Sequence, residues 1–143
     1  MGYVILFLGF TAAYLIGSIP TAYIFGRVLK GIDIREHGSG NTGATNVFRV
    51  IGKAPGIAVL TIDIIKGFVC ATYLASGFMY LAPVVRPEMY RILAGLCAIA
   101  GHNWPVFLKF KGGKGVATSA GVVIGLIPKI FWLRFLHLIQ IAL

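Results

Sequence analysis

The chain has 143 residues and a mass of 15.4 kDa, the size of one ordinary domain. Hydrophobic residues make up 58% of it, and 13 basic and 4 acidic side chains are too few to cover the surface of a soluble domain. With a mean hydropathy of +0.89, this composition excludes a disordered chain, a collagen and a disulfide scaffold. It predicts an integral membrane protein.

The first apolar segment, residues 1–26, contains no charged residue. It exceeds the roughly 20 residues that a helix needs to cross the hydrocarbon core, and it lacks the basic start of a signal peptide. Within it, Gly17, Ser18 and Pro20 predict a break in the helix. Because backbone groups freed in lipid must find partners, we expect the end of this segment to face protein.

Three further apolar segments follow. Residues 54–78 are interrupted only by Asp63 and Lys66, and residues 92–108 carry no formal charge. Residues 116–128 are apolar but short for a span. The pattern predicts an all-α, polytopic membrane protein with three spans and a short fourth, organised as a single membrane domain over residues 1–143.

The net charge of +9 raises the question of nucleic-acid binding. The basic residues, however, lie in short blocks between apolar segments, with five in residues 27–53 and three in residues 109–115. Only Arg86 and Arg91 lie in the intervening loop. This is the pattern of cytoplasmic loops in a membrane protein. It predicts both blocks on the cytoplasmic side, the N-terminus outside, and no nucleic-acid partner.

The first basic loop contains a glycine-rich polar run. Its G-x-G-x-x-G spacing does not indicate a Rossmann site, because no strand precedes it and no βαβ unit surrounds it. Small residues do let backbone N–H groups approach an anion, and the nearby Arg49 can donate two hydrogen bonds to a phosphate. A flexible polar loop is the alternative. The expected cradle consists of Gly38, Ser39, Gly40, Asn41, Thr42, Gly43, Thr45 and Asn46.

The second basic loop places lysines around a Gly-Gly turn directly before an apolar helix. Positive charges and the N–H groups of a helix N-terminus would then meet at one point. A topology anchor would explain the lysines but not the glycines. The phosphate-binding candidates in this loop are Lys111, Gly112, Gly113, Lys114, Gly115 and Thr118.

Both loops are expected on one membrane face, which predicts a single site for two phosphates. With four acidic residues in the chain, no two-metal carboxylate site is expected, so the site would act by stabilising charge. Asp63 and Lys66, at i and i+3 within the second segment, predict a neutralising pair inside the bundle and are further site candidates. His102 is expected either to pack with one polar partner or to line the site.

Several motifs together resemble the bacterial acyl-phosphate:glycerol-3-phosphate acyltransferases, the PlsY family. They are GSIP at residue 17, GSGNTGATN with Arg49, Asp63 with Lys66-Gly67, Gly101-His102, and KGGKGVAT at residue 111. The resemblance covers about residues 3–128. It implies an enzyme of the bacterial inner membrane that transfers a fatty acyl group from acyl phosphate to the sn-1 hydroxyl of glycerol 3-phosphate.

The products would be lysophosphatidate and phosphate, in the first step of phospholipid synthesis. The resemblance also implies that no metal or other cofactor is used, that Ser39 and Arg49 are catalytic, and that the lysine loop binds glycerol 3-phosphate. Acyl-chain preference and oligomeric state do not follow from it.

The tail, residues 129–143, does not resemble the family. Family members continue with further spans and a third motif containing a His and an Asn, whereas His137 lies in an unrelated apolar context. Lys129 and Arg134 would emerge on the outer side. We therefore expect a truncated chain with little or no acyl transfer. The alternatives are an inactive fragment of the enzyme and a small anion transporter.

Overall fold

A computed structural model describes residues 1–127, 131 and 138–141, and this part of the chain contains helices and no strand. Residues 1–127 form α1 (Gly2–Gly17), α2 (Thr21–Lys30), α3 (Ala44–Val50), α4 (Lys53–Val69), α5 (Ala75–Leu81), α6 (Pro87–Asn103) and α7 (Val116–Leu126). The predicted all-helical class is confirmed. Lys129, Arg134 and His137, on which the expectations for the tail depend, lie outside the described residues.

Two helical stretches are long and apolar enough to cross a bilayer. They are Gly2–Lys30 and Lys53–Leu81, each of 29 residues. The second is one continuous helix, because a π-helical turn at Cys70–Leu74 joins α4 to α5. Helix α7 is apolar but has only 11 residues, as the short fourth segment predicts.

The predicted break in the first segment is confirmed. Helix α1 ends at Gly17 and α2 begins at Thr21, since Pro20 has no N–H to continue the helical ladder. The prediction that this end faces protein is also confirmed, because Ser18 is 1% exposed and Ala22 is fully buried.

The third segment is helical, but its bounds differ from the expected 92–108. Helix α6 begins at Pro87 and ends at Asn103. Proline at the first helical position favours an early start, and Glu88 in the first turn complements the helix dipole. The helix ends early because Pro105 disfavours helical backbone at Trp104, the residue before it. A 3-10 turn, Val106–Leu108, follows.

Glycines let the helices pack closely in two pairs, α1 with α6 and α4 with α7. A Cβ at Gly17 would overlap the backbone of Ala98, and one at Gly121 would overlap the backbone of Ile64. Such close backbone approach is how membrane helices associate. A separate apolar cluster lies under the segment that joins α2 to α4. Its members are Ala22, Ile34, Val47 and Val59.

Candidate functional site

The first glycine loop, residues 31–43 between α2 and α3, is folded around the side chain of Asn46. Its Nδ2 donates to the carbonyl oxygens of Ile34 (3.1 Å) and His37 (3.0 Å). Its Oδ1 accepts a hydrogen bond from the backbone N–H of Ser39 at 2.9 Å. Both amide hydrogens are thus used, and the side chain is 1% exposed. Asn46 therefore braces the loop, and its contact with a phosphate stays a prediction.

Two glycines make this arrangement possible. Gly38 and Gly40 have φ values of +61° and +71°, in the left-handed region that favours glycine. A Cβ at Gly38 would also overlap the Asn46 amide. The loop geometry therefore explains both glycines without a ligand, and their contact with a phosphate stays a prediction.

A charged cluster in the same loop was not predicted from the sequence. The guanidinium of Arg35 donates to both carboxylate oxygens of Asp33, at 3.0 and 2.7 Å, and its backbone N–H adds a third bond at 3.0 Å. Arg27 lies 3.5 Å from the same carboxylate. The bonds from Arg35 lower the pKa of Asp33 from 3.8 to about 2. Two arginines of this region are therefore already paired.

The second glycine loop, residues 104–115 between α6 and α7, is supported by the end of α6. The N–H groups of Gly112 and Gly113 donate to the carbonyls of Asn103 and His102, each at 3.1 Å. A Cβ at Gly113 would overlap Nε2 of the His102 ring. Gly115 directly precedes α7 with φ +71°, and a Cβ there would approach the Asn103 amide oxygen.

A buried polar cluster of Thr21, Asp63, Lys66 and His102 lies beside both loops. Lys66 Nζ lies 2.8 Å from Asp63 Oδ1 and donates to the carbonyl of Ile19 at 3.2 Å. Thr21 donates to the same Asp63 oxygen at 3.1 Å, and His102 Nδ1 lies 3.7 Å from it. The predicted neutralising pair inside the bundle is confirmed. The bond from Lys66 also supplies a hydrogen-bond donor to the Ile19 carbonyl, a backbone group at the break in the first segment.

A cavity of about 400 Å³ opens between the two loops. Its lining combines polar and glycine residues with apolar residues of α3, α4 and α7. The first group is Ser39, Asn41, Gly43, Thr45, Asn46, Arg49, Asp63, His102, Lys114 and Gly115. The second group is Ala44, Leu60, Ile64, Val116, Ala117 and Ala120.

Among the described residues, no ion pair or hydrogen bond is found for the charged groups of Arg49 and Lys114. Both side chains are exposed and line the cavity. The side-chain amide oxygen Oδ1 of Asn41 is buried, and no hydrogen-bond partner is found for it among the described residues. The cavity thus offers two cationic groups to an anion, Arg49 from α3 and Lys114 from the second glycine loop.

The remaining predicted site residues do not line this cavity. Thr42 and Thr118 are buried, and Thr118 packs against Gly67 of α4. Lys111 is exposed. Lys66 pairs with Asp63, which does line the cavity. The loops are shaped by Gly38, Gly40, Gly112 and Gly113. Phosphate binding by these residues stays a prediction.

Sequence analysis did not foresee that Asp63 and His102 meet. They belong to different helices and are separated by 39 positions, so no local spacing signals the contact. In the part of the chain that the structure describes, no three His, Cys, Asp or Glu side chains form a group that could hold a metal ion. Cationic and hydroxyl side chains are what the cavity offers to a substrate.

The sequence matches the family model for Glycerol-3-phosphate acyltransferase over residues 7–143. The glycerol-3-phosphate acyltransferase of Chlorobaculum parvum is 53% identical over 122 residues, covering 82% of this chain and 53% of that protein. Glycerol-3-phosphate acyltransferase 2 of Moorella thermoacetica is 48% identical over 126 residues, covering 87% and 61%. This chain spans about half the length of the curated relatives it matches.

Two solved structures are similar in fold. Both are crystal structures of PlsY (YgiH), an integral membrane glycerol 3-phosphate acyltransferase, and both are 39% identical to this chain. The glycerol 3-phosphate form has a TM-score of 0.73 and matches 95% of this chain and 64% of that chain. The lysophosphatidic acid form has a TM-score of 0.70 and matches 92% and 61%. Together with the two long apolar stretches, this likeness identifies an all-helical membrane protein.

Proposed function

Because the chain belongs to the glycerol-3-phosphate acyltransferase family, we propose that it provides the site for transfer of a fatty acyl group from acyl phosphate to the sn-1 hydroxyl of glycerol 3-phosphate. The products are lysophosphatidate and inorganic phosphate. This is the first step of bacterial phospholipid synthesis.

The observation that carries this proposal is the composition of the cavity. Arg49 and Lys114 are among its lining residues and can bind phosphate oxygens. Leu60, Ile64 and Ala120 also line it and can contact an acyl chain. A substrate with a phosphate and a hydrocarbon chain would use both kinds of lining residue, whereas a small inorganic anion would use only the cationic ones.

The proposed reaction needs charge stabilisation more than a dedicated nucleophile. The acceptor hydroxyl oxygen attacks the acyl carbonyl carbon, the bond from that carbon to the phosphate oxygen breaks, and phosphate departs with the bonding electrons. The hydroxyl proton ends on the released phosphate. Arg49 and the Ser39 hydroxyl are placed to stabilise the negative charge of the acyl phosphate, and Lys114 that of glycerol 3-phosphate. No metal or other cofactor enters this scheme.

The proposed location is the bacterial cytoplasmic membrane, with the N-terminus outside and both glycine loops in the cytoplasm. The excess of lysine and arginine in residues 27–53 and 109–115 supports this orientation. The two long stretches and α6 would cross the bilayer, and α7 would begin at the cytoplasmic surface. Asp63 lies ten residues into α4 from Lys53, about 15 Å of helical rise, so the cavity reaches below that surface.

The test is an assay of the purified chain in detergent micelles with palmitoyl phosphate and glycerol 3-phosphate. In parallel, a chimera carries the remaining C-terminal segment of the Chlorobaculum parvum relative. We expect equimolar lysophosphatidate and phosphate from at least one of the two proteins, loss of both products in its Arg49→Ala variant, and no product with palmitoyl-CoA. Correctly inserted proteins that both fail to form lysophosphatidate would overturn the proposal. Phosphate flux across sealed vesicles without product would identify a transporter instead.

A further inference from the structure

We infer that His102 is a positioning residue, whose ring is anchored by Asp63 and in turn fixes the glycine turn that presents Lys114 to the cavity. The inference rests on the proposed function for its catalytic consequence. Its structural part, the contact between the ring and Gly113, is independent of any substrate.

The anchor of His102 is itself held from several directions. Asp63 accepts hydrogen bonds from Thr21 at 3.1 Å and from Lys66 at 2.8 Å, and it is 1% exposed. Lys66 is in turn bound to the carbonyl of Ile19. Because groups from the first segment and from α4 converge on one carboxylate, Asp63 is fixed in place with its Oδ1 3.7 Å from Nδ1 of His102, and it bounds that side of the ring.

The opposite side of the ring faces the second glycine loop. The backbone carbonyl of His102 accepts the N–H of Gly113, and Nε2 lies where a Cβ of Gly113 would be. No side chain fits at position 113 while the ring keeps this orientation. Both ring nitrogens therefore face protein groups, Nδ1 the carboxylate and Nε2 the glycine. This contact, rather than an approaching phosphate, explains the glycine.

Lys114 follows immediately in the chain and is one of the residues that line the cavity. A lysine side chain has many rotamers, so the location of its backbone decides which part of the cavity the charge reaches. A displacement of about 1 Å in such a group can cost a large factor in rate or affinity. Fixing Gly113 therefore fixes the reach of Lys114.

The structural part is tested by a double-mutant cycle of His102→Ala and Gly113→Ala, measured by thermal unfolding in detergent. We expect Gly113→Ala to lower Tm by about 3–6 °C in the wild-type background. In the His102→Ala background, the same substitution should lower Tm by less than half as much. Gly77→Ala is the matched control, because no atom lies within 4 Å of a Cβ there. Equal losses from Gly113→Ala in both backgrounds would overturn the contact.

The catalytic part is tested by the KM for glycerol 3-phosphate. His102→Ala should raise KM about fivefold with little change in kcat, and should add less than about twofold to the effect of Lys114→Ala, because it acts through that lysine. A fall in kcat at unchanged KM, or fully multiplicative losses, would overturn the positioning role.

His102→Asn is the conservative variant and covers the case in which His102→Ala fails to fold. It keeps a nitrogen near Asp63 but removes the Nε2 edge of the ring. The variant should therefore stay stable, and Gly113→Ala should lower its Tm less than it lowers the Tm of the wild type. A Gly113→Ala loss that persists in His102→Asn counts against the contact. If unfolding shows the coupling and no protein forms lysophosphatidate, the contact stands and the proposed function fails.

Discussion

The two glycine loops look alike in sequence, yet they depend on different parts of the molecule. The first carries its own support, since Asn46 binds three of its backbone groups and Asp33 binds Arg35 within it. The second borrows its support from the end of α6, where His102 and Asn103 accept the N–H groups of its glycines. The first loop is therefore held by a side chain of the helix that follows it, and the second by backbone carbonyls of the helix that precedes it.

This difference determines how each loop should respond to substitution. Substitutions that disturb the first loop should fall within residues 31–49. The second loop should also be disturbed by substitutions far away in the sequence. Each loop region nevertheless contributes one cation to the same cavity, Arg49 from α3 after the first loop and Lys114 from the second loop. The following expectations separate the contribution of each cation from that of its support.

The largest effect is expected from Arg49→Ala, with Ser39→Ala close behind. Losing a charge-assisted phosphate contact should lower the rate of acyl transfer by about ten- to a hundredfold. The measurement is kcat/KM in the protein that proves active, with Arg86→Ala as the matched control because Arg86 is exposed in the opposite loop. Wild-type turnover in both site variants would remove the first loop from the site.

Asn46→Ala should destabilise the first loop without removing a charge. It leaves the Ser39 N–H without its partner and removes one of two hydrogen bonds from each of the carbonyls of Ile34 and His37, at a cost of about 1–3 kcal/mol in the free energy of unfolding. Thermal unfolding should show this loss. Thr61→Ala is the control, because Thr61 is exposed. An unchanged Tm would contradict the view that this loop is built around Asn46.

Lys114→Ala should act on substrate affinity more than on stability. Removing a flexible point charge should raise the KM for glycerol 3-phosphate about fivefold and leave Tm near that of the wild type. Lys53→Ala is the comparison, since Lys53 is exposed at the start of α4 and outside the cavity. Unchanged KM would reduce this loop to a topology anchor.

The smallest effect concerns the ion pair of Asp33. Its pKa is lowered from 3.8 to about 2, so the stabilisation is fully present above pH 3.8 and is lost as the pH falls through about 2. At pH 6 the free energy of unfolding of the wild type should exceed that of Asp33→Asn by about 1 kcal/mol. The difference is this small because the arginine partners are partly exposed. The difference should vanish near pH 2. A constant difference from pH 6 to pH 2, with Glu88→Gln as control, would contradict the pairing.

Local patterns predicted most of the helical architecture. The apolar segments, the break at Gly17 to Pro20 and the Asp63–Lys66 pair follow from chain chemistry alone, and the structure confirms them. The bounds of α6 were wrong by five residues at each end. Glu88 and Arg91 hide its first turns from an apolar pattern, and the apolar residues after Pro105 continue that pattern beyond the end of the helix.

The site was predictable to a lesser degree. Residue type singled out Arg49 and Lys114, but it did not distinguish a glycine that approaches a ligand from one that approaches protein. The structure shows the protein neighbours of Gly113 and Gly38, which are His102 and Asn46, and their contact with a phosphate stays a prediction. A glycine-rich sequence indicates where the backbone comes close to another group. Only the packed structure shows whether that group belongs to the protein.

The hydrogen bond from Lys66 to the carbonyl of Ile19 has a consequence for biogenesis. The first segment leaves the ribosome before α4, so its interrupted backbone meets the bilayer without the ammonium group that later serves it. Helix α4 in turn brings two charged side chains whose insertion is costly without partners. Each of these segments therefore leaves polar groups without partners in lipid until the other lies beside it. We expect the two to enter the lipid as a pair, held at the translocon until both have been made.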